Sequence, residues 1–397
     1  MKVVQINSVC GVGSTGRIAL DISKKLSEHN IENYILYGVG NSDYPKAIKF
    51  GGKVNVRMHQ TKTRLLGKHG FYSRKATHEL IKKLGEIDPD VIHLHNLHGH
   101  YLNVEILFNY LARINKKVIW TLHDCWGFTG HCAHFDYVGC DKWKSGCGNC
   151  PALKDYPKSL IFDRSKEAFS DKKRLFNSIN NMTIVTPSNW LADLVKQSFL
   201  KNYHIKVINN GIDIDVFHPI KSDFRKKYNI DNKFLILGVA SVWGKRKGYK
   251  YFMDLAQELK EDEIIVLVGL TEEQKRELPS NIIGITKTNS IGELSEIYSA
   301  ADVFANPTLE EVLGMVNIEA LACGTPVITF NTGGSIECID EGCGLVVRKG
   351  DIKGLRDGIQ IIKEKGKVNY SSKCVKRAIT YYNKNERYSE YIELYAT

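Results

Sequence analysis

The chain has 397 residues, of which 43% are hydrophobic and 25% are charged. That length suits two domains better than one, and the composition allows each domain to bury a core. No stretch approaches the roughly 20 apolar residues that span a bilayer, and the N-terminal run MKVVQINSVCGVGS is too short for a signal peptide. We therefore expect a cytoplasmic protein, at most peripheral on the inner face of the cytoplasmic membrane.

The net charge is +11, and the basic excess is concentrated in one segment. Residues 46–83 contain eleven Lys or Arg and a single acid, Glu79. Such a basic patch attracts nucleic acid or an anionic membrane surface, or it forms a solvated helix face. Because no nucleic-acid-binding module is visible, we rank an anionic membrane surface as the partner of this patch and expect no nucleic-acid binding.

Apolar runs alternate with helical patterns along the chain, which predicts βα units and parallel sheets. The strands predicted in the first half are Lys2–Asn7, Asn33–Tyr37, Val91–Leu94, Val118–Leu122 and Thr183–Thr186, and its helices include Arg17–Glu28, Asn103–Ile114 and Ser188–Phe199. The strands predicted in the second half are Phe234–Val239, Ile264–Val268, Ile282–Gly284, Val303–Ala305, Pro326–Thr329 and Gly344–Val347. The helices predicted there are Tyr249–Leu259, Ile291–Ala300, Met315–Ala322, Ile352–Lys363 and the terminal Asn385–Tyr395.

This pattern predicts two Rossmann-like, doubly wound α/β domains. The segment KVINNGIDIDVFHP (206–219) is rich in turn-forming residues, so we place the boundary there. We expect an N-terminal domain over 1–207, a C-terminal domain over 208–379, and a last helix within 380–397 that packs back on the first domain. Open parallel sheets bind ligands beyond the carboxyl ends of their strands, so the cleft between the domains is the expected site.

A pair of carboxylates stands in the stretch EVLGMVNIE, where Glu311 and Glu319 are eight residues apart. A helix predicted from Met315 leaves the amides of Gly314, Met315 and Val316 unpaired at its start, where they can bind phosphate. One acid on each side of such a phosphate site can hold two sugars flanking a diphosphate. On spacing alone, an ordinary helix with an acidic first turn fits equally well.

The longer segment NPTLEEVLGMVNIEALACGTPVI resembles the signature of retaining glycosyltransferase family 4, which has the GT-B fold. The resemblance implies a hexosyl-type transferase with a UDP- or GDP-sugar as its donor. It implies that Glu311 contacts the donor sugar and Glu319 the ribose, and that the amides of Gly314, Met315 and Val316 meet the sugar and phosphates. No catalytic divalent metal is expected.

Two glycine motifs match further landmarks of that family. The loop Gly11–Gly16 resembles the N-terminal glycine loop, in which Gly13 lets the backbone approach the donor. The same loop fits a dinucleotide-binding pattern, but the acid about 20 residues on, Glu32, stands at the start of the second predicted strand rather than at its end. The sequence NTGGSIE (331–337) resembles the family's glycine turn that follows the signature.

His123 and Asp124 follow a predicted strand and resemble the His-Asp of the family at the cleft. This resemblance implies that His123 contacts the donor sugar near the reacting carbon and that Asp124 orients the imidazole. It also implies retention at the anomeric carbon, with attack on the front face. In that mechanism the leaving phosphate takes the proton of the acceptor, and no enzyme nucleophile is needed.

One landmark departs from the family. An Arg followed by a Lys usually neutralises the leaving diphosphate, and here the segment is GVASVWGKRKGYKYF. Lys247 matches the second member, whereas Ser241 and Val242 stand where the Arg is expected. Either Arg246 or Lys245 is then the second basic residue, and we favour Lys247 as the main partner of the phosphates.

Five cysteines crowd between Cys125 and Cys150, in an insertion (125–163) with little strand or helix pattern. A loop of this length usually needs an internal link or a function. The spacing of its last four cysteines suits a structural zinc site, and the alternatives are an iron–sulfur cluster or reduced thiols packed in a loop. The four candidate ligands are Cys132, Cys140, Cys147 and Cys150.

This insertion and the preceding HLHNLHGHYLN resemble a bacterial subgroup that builds capsule, exopolysaccharide, colanic-acid-type or lipopolysaccharide chains. The resemblance implies a lipid-linked saccharide acceptor. His95, Asn96 and His98 either line the acceptor pocket or form a hydrogen-bonded loop. The rival functions are another GT-B enzyme, such as a phosphorylase or a sugar epimerase, and a basic membrane- or nucleic-acid-binding protein without catalysis, against which the retained Glu residues and Lys247 argue.

Overall fold

The computed structural model describes all 397 residues and divides into two compact units. Unit 1 comprises Met1–Ile208 and Tyr388–Thr397, and unit 2 comprises Asn209–Arg387. The chain therefore passes from one unit to the other within the turn-rich segment 206–219.

Unit 1 is built on a parallel sheet of seven strands in the order β3-β2-β1-β4-β5-β6-β7. The strands are β1 (Lys2–Asn7), β2 (Glu32–Tyr37), β3 (Ala47–Lys49), β4 (Val91–Leu94), β5 (Lys117–Thr121), β6 (Met182–Thr186) and β7 (His204–Val207). The helices are α1 (Gly13–Glu28), α2 (Lys53–Leu66), α3 (Arg74–Ile87), α4 (Val104–Leu111), α5 (Ser165–Phe176) and α6 (Asn189–Gln197).

Unit 2 is built on a parallel sheet of six strands in the order β10-β9-β8-β11-β12-β13. Its strands are β8 (Phe234–Val239), β9 (Glu263–Val268), β10 (Ile282–Ile285), β11 (Val303–Asn306), β12 (Val327–Phe330) and β13 (Gly344–Val347). Its helices are α7 (Phe224–Lys227), α8 (Tyr249–Ala256), α9 (Glu272–Arg276), α10 (Ile291–Ala300), α11 (Met315–Ala322), α12 (Ile352–Lys365) and α13 (Val368–Tyr382), and α14 (Lys384–Ala396) begins in it.

The predicted fold class, two doubly wound α/β units, is confirmed. All strand pairings in both sheets are parallel. The central strands are buried on both faces, as expected for parallel strands covered by helices. The sequence did not predict the edge strands β3 and β7 or the helices α2, α3, α5 and α13. None of the helices is both long and apolar enough to cross a membrane.

The last helix carries three buried tyrosines, two of which bond to strands of unit 1. The Tyr391 hydroxyl lies 3.0 Å from Thr121 Oγ1, and the Tyr395 hydroxyl lies 2.7 Å from His93 Nδ1. Residues 380–387 belong to unit 2, where Asn383 forms a parallel bridge with Ile212, so the part of the chain that returns to unit 1 begins at Tyr388.

The insertion 125–163 contains only two short 3-10 turns and has a small aromatic core of its own. Trp143 lies at its centre, with its ring centroid 5.2 Å from that of Phe128 and 5.0 Å from that of Phe135. These rings supply apolar burial to a segment that lacks regular secondary structure.

A fully buried lysine joins the insertion to helix α5. Lys172 Nζ donates hydrogen bonds to the carbonyl oxygens of Trp126 (2.8 Å) and Thr129 (3.1 Å), and it lies 3.4 Å from the centroid of the Trp126 ring. Burial lowers the pKa of Lys172 to about 7, although nearby Cys147, Cys132 and Asp124 act in the opposite direction. The Lys172 ammonium thus ties the start of the insertion to α5, although burial disfavours its charged form.

This burial predicts a pH dependence of stability. In the unfolded chain Lys172 holds its proton up to a pKa of about 10.4, whereas in the folded chain it loses the proton near pH 7. Between these values the unfolded state binds more protons, so the free energy of unfolding rises with pH, by at most about 5 kcal/mol. Below pH 7 both states are protonated and Lys172 adds no slope.

Denaturant unfolding between pH 7 and pH 10 should show this rise in the wild type and a smaller one in Lys172→Met. Lys173→Met is the matched control because Lys173 is the exposed neighbour on the same helix. Equal pH slopes in wild type and Lys172→Met would contradict the predicted lowering of the Lys172 pKa.

Candidate active site

The order of strands in unit 2 reverses between β8 and β11, which lie side by side. Doubly wound sheets bind ligands at such a switch point, beyond the carboxyl ends of the strands. The 3-10 turn Lys245–Lys247 follows β8, and the segment 307–314 leads from β11 into α11. The two predicted donor-site motifs therefore meet at one edge of the sheet.

Two basic residues of the turn after β8 face two acids of the segment after β11. Lys247 Nζ lies 2.5 Å from Glu311 Oε2, with both side chains about one-fifth exposed. Arg246 lies next to it, and its guanidinium is 3.8 Å from a carboxylate oxygen of the buried Glu310. Lys245 is exposed. Of the two candidates, Arg246 is thus the one that contacts an acid of the segment after β11.

Two glycines allow the backbone to come close enough for this pairing. Gly248 (φ +78°) lies against Pro307, and an added Cβ would overlap the Pro307 carbonyl. Gly333 (φ +52°), in the NTGGSIE turn, lies against Glu311 so closely that a Cβ would overlap the Glu311 carbonyl oxygen. The amide of Gly334 donates a 3.1 Å hydrogen bond to the same oxygen. Both motifs thereby fix the positions of Lys247 and Glu311.

Helix α11 begins at Met315, as predicted, and no side chain caps its N-terminus. The first amides of a helix have no acceptor within it. Met315 and Val316 are partly exposed, whereas Asn317 and Ile318 are buried. The helix therefore presents its unpaired donors and the positive end of its dipole beside Lys247 and Glu311, an arrangement that suits a phosphate group.

A buried hydrogen-bond network holds the start of α11 against the sheet. The Asn317 side chain accepts a 2.7 Å hydrogen bond from Asn306 Nδ2, at the end of β11, and donates one of 2.9 Å to Ser335 Oγ. Ser335 Oγ is 2.7 Å from Thr329 Oγ1, on β12. The sequence analysis did not assign a role to Asn317 or Ser335, since their contacts depend on the neighbouring strand and cannot be read from local spacing.

Glu319 lies on the second turn of α11 and is partly exposed. One oxygen, Oε2, accepts a 2.8 Å hydrogen bond from the hydroxyl of Tyr298, which is buried in α10. A buried donor that holds one carboxylate oxygen fixes the orientation of the group.

In unit 1, the predicted His123 lies beyond β5 and is bonded to His95, beyond the adjacent β4. His123 Nε2 lies 3.2 Å from His95 Nδ1, and the two rings are nearly parallel at 14°. His95 Nε2 in turn lies 2.8 Å from Gln5 Oε1, on β1. The residue that orients His123 is therefore His95, and Gln5 fixes the tautomer of His95 because its Oε1 accepts a hydrogen bond from the Nε2–H of that ring.

Asp124 contacts a different histidine from the one expected. Its Oδ2 lies 2.5 Å from His98 Nε2, and its Oδ1 accepts a 2.8 Å hydrogen bond from the Trp126 amide. His98 Nδ1 lies 2.9 Å from the Tyr156 hydroxyl. The expectation that Asp124 orients His123 directly is thus not met, because its carboxylate is taken up by His98 and Trp126. Asn96 accepts a hydrogen bond from the His98 amide.

The pKa values fix the charge states of this edge. Burial lowers the pKa of His123 to about 4, outweighing the nearby carboxylate of Asp124. Burial alone would raise the pKa of Asp124, but the charge and hydrogen bond of His98 outweigh it and hold that pKa at about 2. At neutral pH, His123 is therefore a neutral hydrogen-bonding group and Asp124 is an anion.

The glycine loop lies beyond β1, where α1 begins at Gly13 without a side-chain cap. The Gly11 amide donates a 3.0 Å hydrogen bond to the Gly16 carbonyl, which closes the loop. Val12 is half-exposed, and an added Cβ at Gly13 would meet no atom within 4 Å. The helix start at Gly13 is open to an approaching group, as the predicted role requires.

Cys132, Cys140, Cys147 and Cys150 line a single small cavity of about 10 Å³. None of the ten cysteines forms a disulfide. Three or more metal-ligating side chains with all ligand atoms within 4.8 Å of one another occur at His59, His69 and His100, and not at these cysteines. A zinc site at the four cysteines stays a prediction.

The chain matches two family-wide sequence patterns. Residues 15–216 match the pattern described as "Glycosyltransferase Family 4", and residues 220–381 match that described as "Glycosyl transferases group 1". The boundary between the two matches falls in the turn-rich segment between the units. The first pattern alone covers about half of the chain.

Curated relatives and solved structures agree with these patterns. The chain is 24% identical to the putative colanic acid biosynthesis glycosyl transferase WcaC of Escherichia coli, over 89% of this chain and 88% of that protein. It is 28% identical to the N,N'-diacetylbacillosaminyl-diphospho-undecaprenol alpha-1,3-N-acetylgalactosaminyltransferase of Campylobacter jejuni, over 56% of this chain and 62% of that protein.

The fold matches solved GT-B structures over the whole chain. Sucrose-phosphate synthase from Thermosynechococcus elongatus has a TM-score of 0.74 at 17% identity, covering 100% of this chain and 98% of that one. Anabaena HepE, in complex with UDP and glucose, has a TM-score of 0.70 at 16% identity, covering 100% of both chains. Taken with the sequence patterns and the donor-site motifs, these matches show that the chain belongs to glycosyltransferase family 4 and has the GT-B fold.

Proposed function

We propose that this glycosyltransferase moves a sugar, with retention at the anomeric carbon, from a UDP- or GDP-sugar to a lipid-linked saccharide in bacterial surface polysaccharide synthesis. The observation that carries the proposal is the Lys247–Glu311 pair, 2.5 Å apart, beside the uncapped start of α11. At one edge of the sheet, a carboxylate suits sugar hydroxyls, while an ammonium and the unpaired amides of a helix start suit a diphosphate.

These contacts indicate which residue binds each part of the nucleotide sugar. The amides of Gly314, Met315 and Val316 and the ammonium of Lys247 neutralise the diphosphate as it leaves, and Arg246 adds a second positive charge. Glu311 binds the sugar hydroxyls, and Glu319 binds the ribose. The complex of Anabaena HepE with UDP and glucose supports a nucleotide-sugar donor for a chain of this fold.

The positive charges at this edge make a catalytic divalent metal unnecessary for leaving-group departure. In unit 1, the neutral His123 accepts or donates a hydrogen bond at the reacting sugar, and His95 holds its ring. Since no protein carboxylate is needed as a nucleophile, the leaving phosphate takes the proton of the acceptor hydroxyl. We infer retention from the resemblance to retaining glycosyltransferase family 4, and the anomeric configuration of the product, read by proton NMR, tests it.

A groove of about 640 Å³ between α2 and α3 supports a lipid-linked acceptor. Three basic side chains and one acid line it together with Met58 and Tyr72; the charged residues are Lys62, Arg74, Lys75 and Glu79. Net positive charge next to apolar side chains suits the diphosphate and first isoprene units of such an acceptor. The C. jejuni relative, whose name specifies a diphospho-undecaprenol acceptor, supports the same class.

Helix α2 also presents an apolar stripe flanked by basic residues, which we propose binds an anionic membrane surface. Val54 (71% exposed), Met58 (54%) and Leu65 (43%) lie within about 40° of one another around the helix. The exposed Arg57 and Lys62 lie on the two sides of this stripe. Such a helix binds in the plane of the interface through apolar burial and attraction to anionic lipids.

The proposal predicts a large catalytic effect at the phosphate clamp. Lys247→Ala should lower kcat roughly 10²- to 10³-fold, since it removes charge stabilisation of the departing diphosphate, and Lys247→Arg should restore part of it. The assay uses the nucleotide sugar that raises Tm most in a screen of UDP- and GDP-sugars. Lys250→Ala, an exposed lysine on the adjacent helix, is the control.

Unchanged turnover in Lys247→Ala would refute the clamp. Conversion of the donor into an epimeric nucleotide sugar without acceptor would favour the epimerase alternative. Phosphorolysis of a saccharide by inorganic phosphate would favour a phosphorylase.

The close approach at Gly333 gives a second prediction. Gly333→Ala should push Glu311 out of place and weaken binding of the nucleotide sugar more than binding of the nucleotide alone. Gly366→Ala is the matched control because Gly366 has a similar φ of +76° but no atom within 4 Å of an added Cβ. Both variants carry a backbone strain of about 1 kcal/mol. Thermal-shift titrations measure the difference, and equal effects of both variants would contradict the positioning role.

The membrane assignment predicts that the full chain co-sediments with phosphatidylglycerol vesicles and much less with phosphatidylcholine vesicles. Met58→Asp and Leu65→Asp should reduce this binding several-fold, because each places a charge in the apolar stripe. Ile379→Asp is the control, since Ile379 is a similarly exposed apolar residue on α13. Binding that is insensitive to Met58→Asp, or equal for both lipids, would contradict the assignment.

A further inference from the structure

Three histidines from three separate segments of unit 1 converge beside the groove between α2 and α3, which His59 lines. His59 lies on α2, His69 in the loop between α2 and α3, and His100 in the loop after β4. One ring nitrogen of each lies within 4.8 Å of one from each of the others. The ring centroids of His69 and His100 are 4.5 Å apart, and those of His59 and His100 are 5.4 Å apart.

His69 is buried, and neither of its ring nitrogens has a hydrogen-bond partner. Leaving a buried polar group unpaired costs about 1–3 kcal/mol, so native proteins seldom do so without a ligand or a water. Its neighbours include three rings, with the centroid of His100 4.5 Å away, that of His59 5.5 Å away and that of Trp126 5.7 Å away. The orphaned nitrogens thus point to a group that binds imidazole.

The other two histidines have hydroxyl partners on their far nitrogens. His59 Nδ1 lies 2.7 Å from Ser73 Oγ, and His100 Nδ1 lies 3.5 Å from Thr63 Oγ1. A metal-bound histidine usually donates its second N–H to such an oxygen, which fixes the tautomer and the ring. His59 Nε2 accepts only a long 3.3 Å hydrogen bond, from the Gly70 amide, which an ion would replace.

We propose that His59, His69 and His100 form a binding site for a divalent transition-metal ion, zinc being the expected occupant. Three neutral imidazoles suit zinc, which they bind with water or another oxygen in the fourth tetrahedral position. His59 and His69 are buried and His100 is partly exposed, so the fourth position opens on the side of His100.

The charge state of the cluster agrees with this geometry. Burial, with smaller contributions from a nearby imidazole and a nearby basic side chain in each case, lowers the pKa of His59 to about 3 and that of His100 to about 4. Burial also lowers the pKa of His69 well below its usual value. All three rings are therefore neutral at physiological pH, which is the form that binds a metal.

An ion here would join α2 to the loop after β4. That loop also carries His98, which is bonded to Asp124 and Tyr156. Bound zinc would therefore hold the basic, apolar-striped helix in a fixed position relative to this hydrogen-bond network. The site is distinct from the four-cysteine cavity, and the inference does not depend on the sugar-transfer proposal.

Zinc content measured by mass spectrometry on the full chain, purified without a histidine tag, tests the proposal. Because the cysteines are a competing zinc site, the measurement uses a Cys147→Ser/Cys150→Ser background equilibrated with excess Zn²⁺ and then freed of unbound metal. We expect about one equivalent of zinc in this background and its loss on adding His69→Gln or, at the partly exposed position, His100→Gln. His78→Gln, an exposed histidine on α3, should leave the zinc in place.

Cobalt substitution gives an independent readout. The Co²⁺-loaded background variant should show the visible absorption of a tetrahedral site with nitrogen and oxygen ligands, without the near-ultraviolet bands of thiolate ligation, and His100→Gln should abolish it. Far-ultraviolet circular dichroism identifies any variant that fails to fold. Absence of zinc from the background variant, or zinc that survives both His69→Gln and His100→Gln in folded protein, overturns the proposal.

Discussion

The proposed donor site of unit 2 depends on two close backbone approaches, Gly248 against Pro307 and Gly333 against Glu311. Neither contact tolerates a Cβ, and together they bring the turn after β8 and the segment after β11 close enough for Lys247 and Glu311 to pair. The buried amide of Asn317 then holds the helix start at the same edge. The charged side chains are thus positioned by backbone fit and a buried polar network, and their own attraction is secondary.

In unit 1, histidine side chains link the candidate site residues by hydrogen bonds. One chain of contacts runs from Gln5 through His95 to His123, and another runs from Tyr156 through His98 to Asp124. Because burial keeps His123 neutral, this edge offers hydrogen bonds and one anion, whereas the edge of unit 2 offers positive charge. The edge of unit 2 therefore suits a diphosphate, and the edge of unit 1 suits hydroxyl groups.

Local signals predicted the parts of this structure that depend on short stretches of chain. The strands β1, β4, β8 and β13 and the helices α10 and α11 begin and end where apolar periodicity and turn residues indicate. Strands β3 and β7 were missed because short edge strands have little buried pattern. Helices α2 and α3 received no bounds because the basic excess of residues 46–83 fitted a membrane-facing patch as well as a solvated helix face. Lys247 with Glu311, His123 with His95, and the trio of His59, His69 and His100 are pairings between segments far apart in sequence, so no local spacing reveals them.

A crystal structure of the full chain with the nucleoside diphosphate that raises Tm most would show whether α11 and Lys247 bind the diphosphate of a nucleotide sugar. We expect the diphosphate at the amides of Gly314, Met315 and Val316 and within hydrogen-bond distance of Lys247 Nζ, with the ribose on Glu319. Diphosphate bound elsewhere, or no stabilisation by any nucleoside diphosphate, would rule out this binding mode.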